Sequence, residues 1–142
     1  MFKHRIVVLD EHSELKYQLN AFIHEKSSVQ IDFYDSIAGC LQSTEKRPHV
    51  IFVEHKMSHI DGISAIQILR RRWRWSRIIL KGVSQNGSKR INRRKYRIDK
   101  TLTTDSSVQE IIREIEYNRT VNRVKWVFPV LAGIGLFYAL FF

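Results

Sequence analysis

Residues 49–62 read HVIFVEHKMSHIDG, and the local pattern of the chain is clearest here. The apolar run at 50–53 ends at a carboxylate, Glu54, as is typical of a strand buried on both faces of a parallel sheet. The polar loop after it leads into residues 62–72, where apolar side chains recur at helical spacing. This stretch therefore predicts a buried strand, a loop at its carboxyl end and a helix that packs back on the sheet.

The same alternation of strand and helix recurs through the first 117 residues. Further strands are predicted at residues 5–9, 29–34, 78–80 and around Ile98; further helices are predicted at 13–26, 36–43 and 106–117, with a short polar helix at 89–95. Strands that alternate with helices through five repeats indicate an α/β domain with a doubly wound parallel sheet.

Charged side chains stand where the predicted strands end. Asp10 and Glu11 follow the first strand, Glu54 ends the third, and Lys100 follows the fifth. Sites in open parallel sheets form at the carboxyl ends of the strands, so we expect these groups to share one pocket. Neighbouring carboxylates repel each other unless a cation lies between them. Either Mg²⁺ held by Asp10, Glu11 and Glu54 or the ammonium group of Lys100 would supply that cation.

Three segments, in order, carry a resemblance to a known family. They are Leu9-Asp10-Glu11, the stretch from Glu54 to Gly62, and Lys100-Thr101. On these motifs, residues 4–117 resemble a response-regulator receiver domain of the CheY-like type. The resemblance implies a flavodoxin-like (βα)5 doubly wound parallel sheet. It also implies a degenerate phosphoacceptor pocket formed by Asp10, Glu11, Glu54, Gly82 and Lys100, and a loop after strand three that contains Met57, Asp61 and Gly62.

The chain departs from the family pattern at the positions that the resemblance assigns to phosphorylation. The family receives the phosphoryl group on an aspartate, whereas Glu54 is longer by one methylene, about 1.3–1.5 Å, and transfer depends on placement at that scale. Gly82 stands at or beside the family's Ser/Thr and has no hydroxyl, and Lys81 next to it would bring a second cation. We therefore expect phosphorylation to be lost. Lys100 would then pair permanently with Glu54 and hold one conformation, or the two would form a remnant ion pair of structural value only.

The last segment, residues 126–142, reads WVFPVLAGIGLFYALFF, which is 17 residues without a charge. A helix of that length spans about 25 Å, slightly less than the ~30 Å core of a bilayer. Basic residues precede it, which predicts a single-pass, tail-anchored protein with its N-terminal domain in the cytoplasm, as at a bacterial inner membrane. The alternative is a buried core helix of a soluble protein. The anchor residues that we single out are Trp126 and Tyr138 at the interfaces, Pro129 in the first turn, and the small residues Gly135 and Ala139.

Basic residues dominate the charge of the chain. Lys and Arg number 24 against 14 Asp and Glu, a formal net charge of +10. Between positions 70 and 100 there are thirteen cations and one anion, Asp99. Such a surface suits anionic lipid, an acidic protein or nucleic acid, or serves only for solubility. The chain has no helix-turn-helix motif, so we do not expect nucleic acid as the partner. The basic surface is assigned to Arg70, Arg71, Arg72, Arg74, Lys89, Arg90, Arg93 and Arg94.

Other functional classes find little support. The single cysteine, Cys40, excludes an internal disulfide framework and a cysteine-based zinc site. No glycine-rich phosphate loop or nucleophile motif is present, so we expect no enzyme, no catalytic residues and no cofactor other than Mg²⁺. The predicted organisation is a receiver-like domain at 1–117, a basic juxtamembrane linker or helix extension at 118–125 and the anchor at 126–142.

Three hypotheses follow for the function. The first is a phosphorylation-deficient module at the cytoplasmic face of a membrane, which acts as an adaptor for protein partners. The second is a receiver that still switches in a two-component-type phosphorelay. The third is a membrane-tethered nucleic-acid binder that uses residues 70–100.

Overall fold

The computed structural model describes residues 3–26 and 28–141 as one α/β domain with a long C-terminal helix. The elements in chain order are β1 (His4–Leu9), α1 (Glu14–Glu25), β2 (Val29–Tyr34), α2 (Ile37–Ser43), β3 (Val50–Glu54), α3 (Gly62–Arg72), β4 (Arg77–Val83), α4 (Gln85–Arg90), α5 (Arg93–Tyr96), β5 (Lys100–Thr103) and α6 (Val108–Phe141).

The five strands form one parallel sheet in the order β2-β1-β3-β4-β5. Successive side chains of a strand point to opposite faces, so each central strand contributes side chains to two cores, one on each face of the sheet. Ile51 and Val53 pack into the core beneath α2 and α3, whereas Val50 and Phe52 pack into the core beneath α1 and α6. The prediction of a flavodoxin-like, doubly wound parallel sheet is thereby confirmed.

The region between β4 and β5 differs from the prediction. The polar stretch predicted as one helix at 89–95 forms two short helices, because the chain is extended at Ile91 and restarts at Asn92, whose side chain caps α5. Arg97 ends α5 in the left-handed conformation, with φ of 56°. The fifth strand then begins at Lys100 instead of ending before it.

Helix α6 is a single 34-residue helix and does not end at residue 117. Its first turns pack on the sheet through Ile111 and Ile115, and a Lys26–Glu116 ion pair of 3.4 Å joins it to the end of α1. The helix continues through Pro129, which therefore lies in its interior and not in the first turn of a separate helix. In the described part of the chain, no helix combines the length and hydropathy of a membrane span. The structure describes the backbone at Trp126, Gly135, Tyr138 and Ala139 but not their surroundings, so the roles predicted for these anchor residues stay predictions.

Two stacked histidines are expected to make the fold sensitive to acid. The rings of His4 and His49 lie 4.6 Å apart at the amino ends of β1 and β3. Burial, then the charges of His49 and Arg119, lower the pKa of His4 from 6.5 to about 4. Because the pKa of His4 is lower in the folded protein, the unfolded chain takes up this proton at a higher pH than the folded protein does. The contribution of His4 to stability is therefore fully present above pH 6.5 and is lost as the pH falls towards 4.

We therefore expect the free energy of unfolding to drop by about 2–3 kcal/mol across that window. Urea unfolding at a series of pH values measures this loss. His4→Leu should flatten the pH dependence, and His12→Leu, at an exposed position, should leave it unchanged. Equal slopes in the wild type and His4→Leu would contradict the assignment.

Candidate functional site

The carboxyl ends of β1, β3 and β4 bring two acids and one lysine together. Asp10 follows β1, and Glu54 is the last residue of β3. Lys81 lies directly beside Glu54 in the parallel ladder of β3 and β4. Residues in register on neighbouring strands project to the same face of the sheet, so the pairing itself directs Lys81 and Glu54 into one place.

The ammonium group of Lys81 bridges the two carboxylates. Its Nζ donates to Oδ2 of Asp10 at 2.6 Å and to Oε2 of Glu54. All three side chains are largely buried, with exposed fractions of 11% for Lys81, 6% for Asp10 and 16% for Glu54. In such surroundings charge–charge attraction is stronger than at the surface, and each partner depends on the others for compensation.

Gly82 provides the space that Glu54 occupies. A Cβ placed on Gly82 would lie 1.8 Å from Oε1 and 2.9 Å from Cδ of Glu54, so no side chain fits there while Glu54 keeps this position. The backbone of Gly82 also has φ of +75°, in the left-handed region that favours glycine. Glutamate at 54 and glycine at 82 are therefore complementary in shape.

Glu11 turns towards the loop after β3. Its Oε1 accepts hydrogen bonds from the backbone N–H and the hydroxyl of Ser58, both at 2.7 Å. These hydrogen bonds lower the pKa of Glu11. The expected trio of Asp10, Glu11 and Glu54 is thus corrected: the structure joins Asp10 to Glu54 through Lys81 and uses Glu11 to fasten the loop.

Lys100 does not join this group in the described structure, so the expected Lys100–Glu54 pair is wrong. Lys100 is the first residue of β5 and pairs in the ladder with Ile79, two residues before Lys81. Its ammonium group bonds Glu114 of α6, which also accepts from Arg77 at 3.0 Å. Burial opposes ionisation of Glu114, but the hydrogen bonds from Lys100 and Arg77 outweigh it and lower its pKa.

The carboxyl end of β5 carries threonines instead. Thr103 and Thr104 line a cavity of about 240 Å³, together with Glu54, Lys81 and Gly82. Lys81 on β4, which the sequence indicated as a second cation, supplies the cation at this edge, where the resemblance led us to expect Lys100 as the first.

The loop after β3 is held by the residues that the sequence singled out. Asp61 caps α3: its Oδ1 accepts from the N–H groups of Ile63 and Ser64 at 3.0 and 3.1 Å. Gly62 is buried, and a Cβ there would lie 2.6 Å from the carbonyl oxygen of Glu54. Met57 packs against the core cluster beneath α2 and α3. These residues position the loop next to Glu54.

The residues of this site do not fit Mg²⁺ in the arrangement observed. Mg²⁺ needs oxygen ligands that are free to surround it in octahedral geometry. The Lys81 ammonium already lies between Asp10 and Glu54, and Glu11 is bonded to Ser58. Among residues 3–26 and 28–141, no three His, Cys, Asp or Glu side chains are grouped to hold a metal ion.

The basic residues spread over α3, α4, α5 and their loops. Arg70 is nearly buried, whereas the other seven that were singled out are exposed: Arg71, Arg72, Arg74, Lys89, Arg90, Arg93 and Arg94. Trp73 is buried in the core at the end of α3, but Trp75 is 72% exposed beside Arg74. Of these two tryptophans, only Trp73 covers the core.

Sequence comparison identifies the family. Residues 6–116 match the profile of the response regulator receiver domain. The chain belongs to this family. As a receiver domain it is of the signalling type found in two-component systems. The comparison with curated proteins gives no match.

Solved structures agree on the fold. A receiver domain of a Francisella response regulator is 19% identical and aligns over 84% of this chain and 99% of that one, with a TM-score of 0.70. A CheY-like receiver domain protein from Methanospirillum hungatei is 10% identical over 88% and 99%, with a TM-score of 0.70. A protein named as an adenylate cyclase from Rhodopirellula baltica is 16% identical over 92% and 98%, with a TM-score of 0.73. At these identities the likeness concerns the fold alone.

Proposed function

We propose that this receiver domain is a phosphorylation-deficient, non-catalytic module at the cytoplasmic face of a membrane, where it acts as an adaptor for protein partners. The observation that carries the proposal is the Lys81 bridge between Asp10 and Glu54, with Glu54 seated in the space at Gly82. An internal cation then fills the place that a metal ion and a phosphoryl group would need.

The position of Glu54 supports this reading on chemical grounds. Phosphoryl transfer requires an attacking oxygen in line with the leaving group, and a misplacement of about 1 Å costs roughly 100-fold in rate. Glu54 is one methylene longer than aspartate, and its carboxylate is engaged by Lys81. A receiver locked in this way presents one conformation to its partners instead of switching between two.

Membrane attachment rests on the C-terminal segment. Residues 126–142 carry no charge, and as far as Phe141 they continue the same helix that begins on the sheet at Val108. The side chains of Val127, Val130 and Ile134 are at least half exposed along it. We propose the anchor at 126–142, with residues 118–125 as the juxtamembrane part of α6 and the receiver domain on the cytoplasmic side.

The direct test is a beryllofluoride titration. Beryllofluoride with Mg²⁺ mimics an acyl phosphate, and we expect no Mg²⁺-dependent change in the tryptophan fluorescence or NMR spectrum of the full chain. A receiver domain with aspartate as its phosphoacceptor, treated in parallel, serves as the positive control. A saturable, Mg²⁺-dependent change that disappears in Glu54→Gln would instead support the second hypothesis, a receiver that still switches.

A further inference from the structure

We propose that a basic groove at the opposite end of the sheet binds the phosphate-bearing headgroup of an anionic phospholipid. The groove has a volume of about 580 Å³ and lies between the loops before β3 and β4, helix α5 and the middle of α6. It is remote from the Asp10–Lys81–Glu54 site, which occupies the carboxyl ends of the strands. The proposal rests on the membrane attachment proposed above and adds a lipid class to it.

The groove is lined by an excess of exposed cations. Arg47, Arg74, Arg93, Arg94 and Lys125 all face it and are exposed. Within residues 3–26 and 28–141, no Asp or Glu oxygen lies within 4 Å of a charged nitrogen of these five side chains. Guanidinium groups offer paired N–H donors that match the oxygens of a phosphate diester. A concave cluster of guanidinium groups is therefore suited to bind a phosphate group.

The one acid in the lining is already engaged. Asp99 accepts from Arg70 at 3.0 Å and from the backbone N–H of Ile78 at 2.7 Å. Arg70 also donates to the carbonyl oxygens of Arg97, Arg74 and Ser76, so it fixes the loops that form the wall. Arg70 and Asp99 thus form a hydrogen-bonded base of the groove, and the exposed arginines around it stay available for a ligand.

The place of the groove in the chain favours a lipid over other phosphates. Lys125, the last cation of the lining, directly precedes the uncharged run at 126–142 on the same helix. At 1.5 Å per residue, the groove residue Asn118 is about 12 Å along the helix from the start of that run. Trp75 is exposed at the groove, as is typical of aromatic side chains at a membrane interface.

The test uses the full chain in a non-ionic detergent and short-chain lipids as probes. Dihexanoyl phosphatidylglycerol should bind saturably and raise the melting temperature, whereas dihexanoyl phosphatidylcholine should not. The triple variant Arg74→Gln/Arg93→Gln/Arg94→Gln should bind phosphatidylglycerol at least tenfold more weakly. A matched triple variant outside the lining, Arg71→Gln/Lys89→Gln/Arg90→Gln, loses the same charge and should stay within twofold of the wild type.

The remaining outcomes would overturn the proposal. An equal loss in both triple variants would mean diffuse attraction with no built site. Binding of inorganic phosphate as tight as that of phosphatidylglycerol would identify a free-anion site, and tighter, salt-sensitive binding of a duplex DNA would identify a nucleic-acid surface. Membrane fractionation of the chain with and without residues 126–142, a deletion that keeps the groove residue Lys125, is a separate readout, so that failure of the anchor and failure of the groove are told apart.

Discussion

Lys81→Met is expected to lower the free energy of unfolding by about 3–5 kcal/mol, because removal of one partner leaves buried charges uncompensated. In the native protein the Lys81 ammonium bonds both Asp10 and Glu54, and all three side chains are largely buried. Methionine keeps the length and apolar stem of lysine but lacks its charge, so the change isolates the electrostatic contribution. Urea unfolding of the full chain, followed by circular dichroism, measures the loss.

The same variant should gain a response to Mg²⁺. With the ammonium gone, Asp10 and Glu54 face each other, and a divalent cation at ten times its Kd would restore about 1.4 kcal/mol. Lys89→Met, at an exposed position on α4, is the control and should change stability by less than about 0.5 kcal/mol. A loss below about 1 kcal/mol for Lys81→Met, with no effect of Mg²⁺, would show that the bridge does not hold the site together.

Gly82→Ala is expected to cost about 2–4 kcal/mol through two separable effects. An alanine in the left-handed conformation at φ of +75° costs about 1–2 kcal/mol by itself. The added Cβ would also lie 1.8 Å from Oε1 of Glu54 and must displace it from Lys81. Overpacking of this kind typically adds about 1–3 kcal/mol.

A double-mutant cycle separates these two effects. In a Glu54→Ala background the steric conflict is absent, so Gly82→Ala should cost only the backbone part, about 1–2 kcal/mol. Gly39→Ala is the control: it lies within helix α2, and its nearest contact would be the Ser36 hydroxyl at 3.1 Å, so we expect a small change. Equal costs of Gly82→Ala in both backgrounds would contradict the complementarity of glutamate and glycine.

The central strands and their helices could be predicted because local periodicity and burial agree there. The apolar run before Glu54 predicted only a buried strand, and the spacing after Gly62 predicted only a helix; the structure contains both. The fifth strand was misplaced because its sequence, KTLT, buries only Leu102 and carries little apolar signal. The apolar Ile98 before it attracted the prediction, although it packs into the core outside the strand.

Which lysine pairs with Glu54 depends on the register of the neighbouring strands, and the sequence alone did not define that register. The apolar run at 78–80 predicted a strand too short to include Lys81, whereas β4 extends to Val83 and places Lys81 opposite Glu54. The misplaced fifth strand then made Lys100 the expected partner of Glu54, and Lys81 was expected only as a second cation. The fit of Glu54 into the space at Gly82 is a tertiary contact across two strands, and single-sequence patterns carry no signal for it.

The most direct measurement follows the Lys81 ammonium itself. In the full chain labelled with ¹⁵N at lysine Nζ, a buried and doubly bonded ammonium should give a protected ¹H–¹⁵N signal, assigned by its loss in Lys81→Met. We predict that millimolar Mg²⁺ with acetyl phosphate leaves this signal unchanged and adds no phosphoryl group to the protein mass. Displacement of the Lys81 signal by Mg²⁺, together with a phosphoryl group mapped to Glu54, would contradict the account.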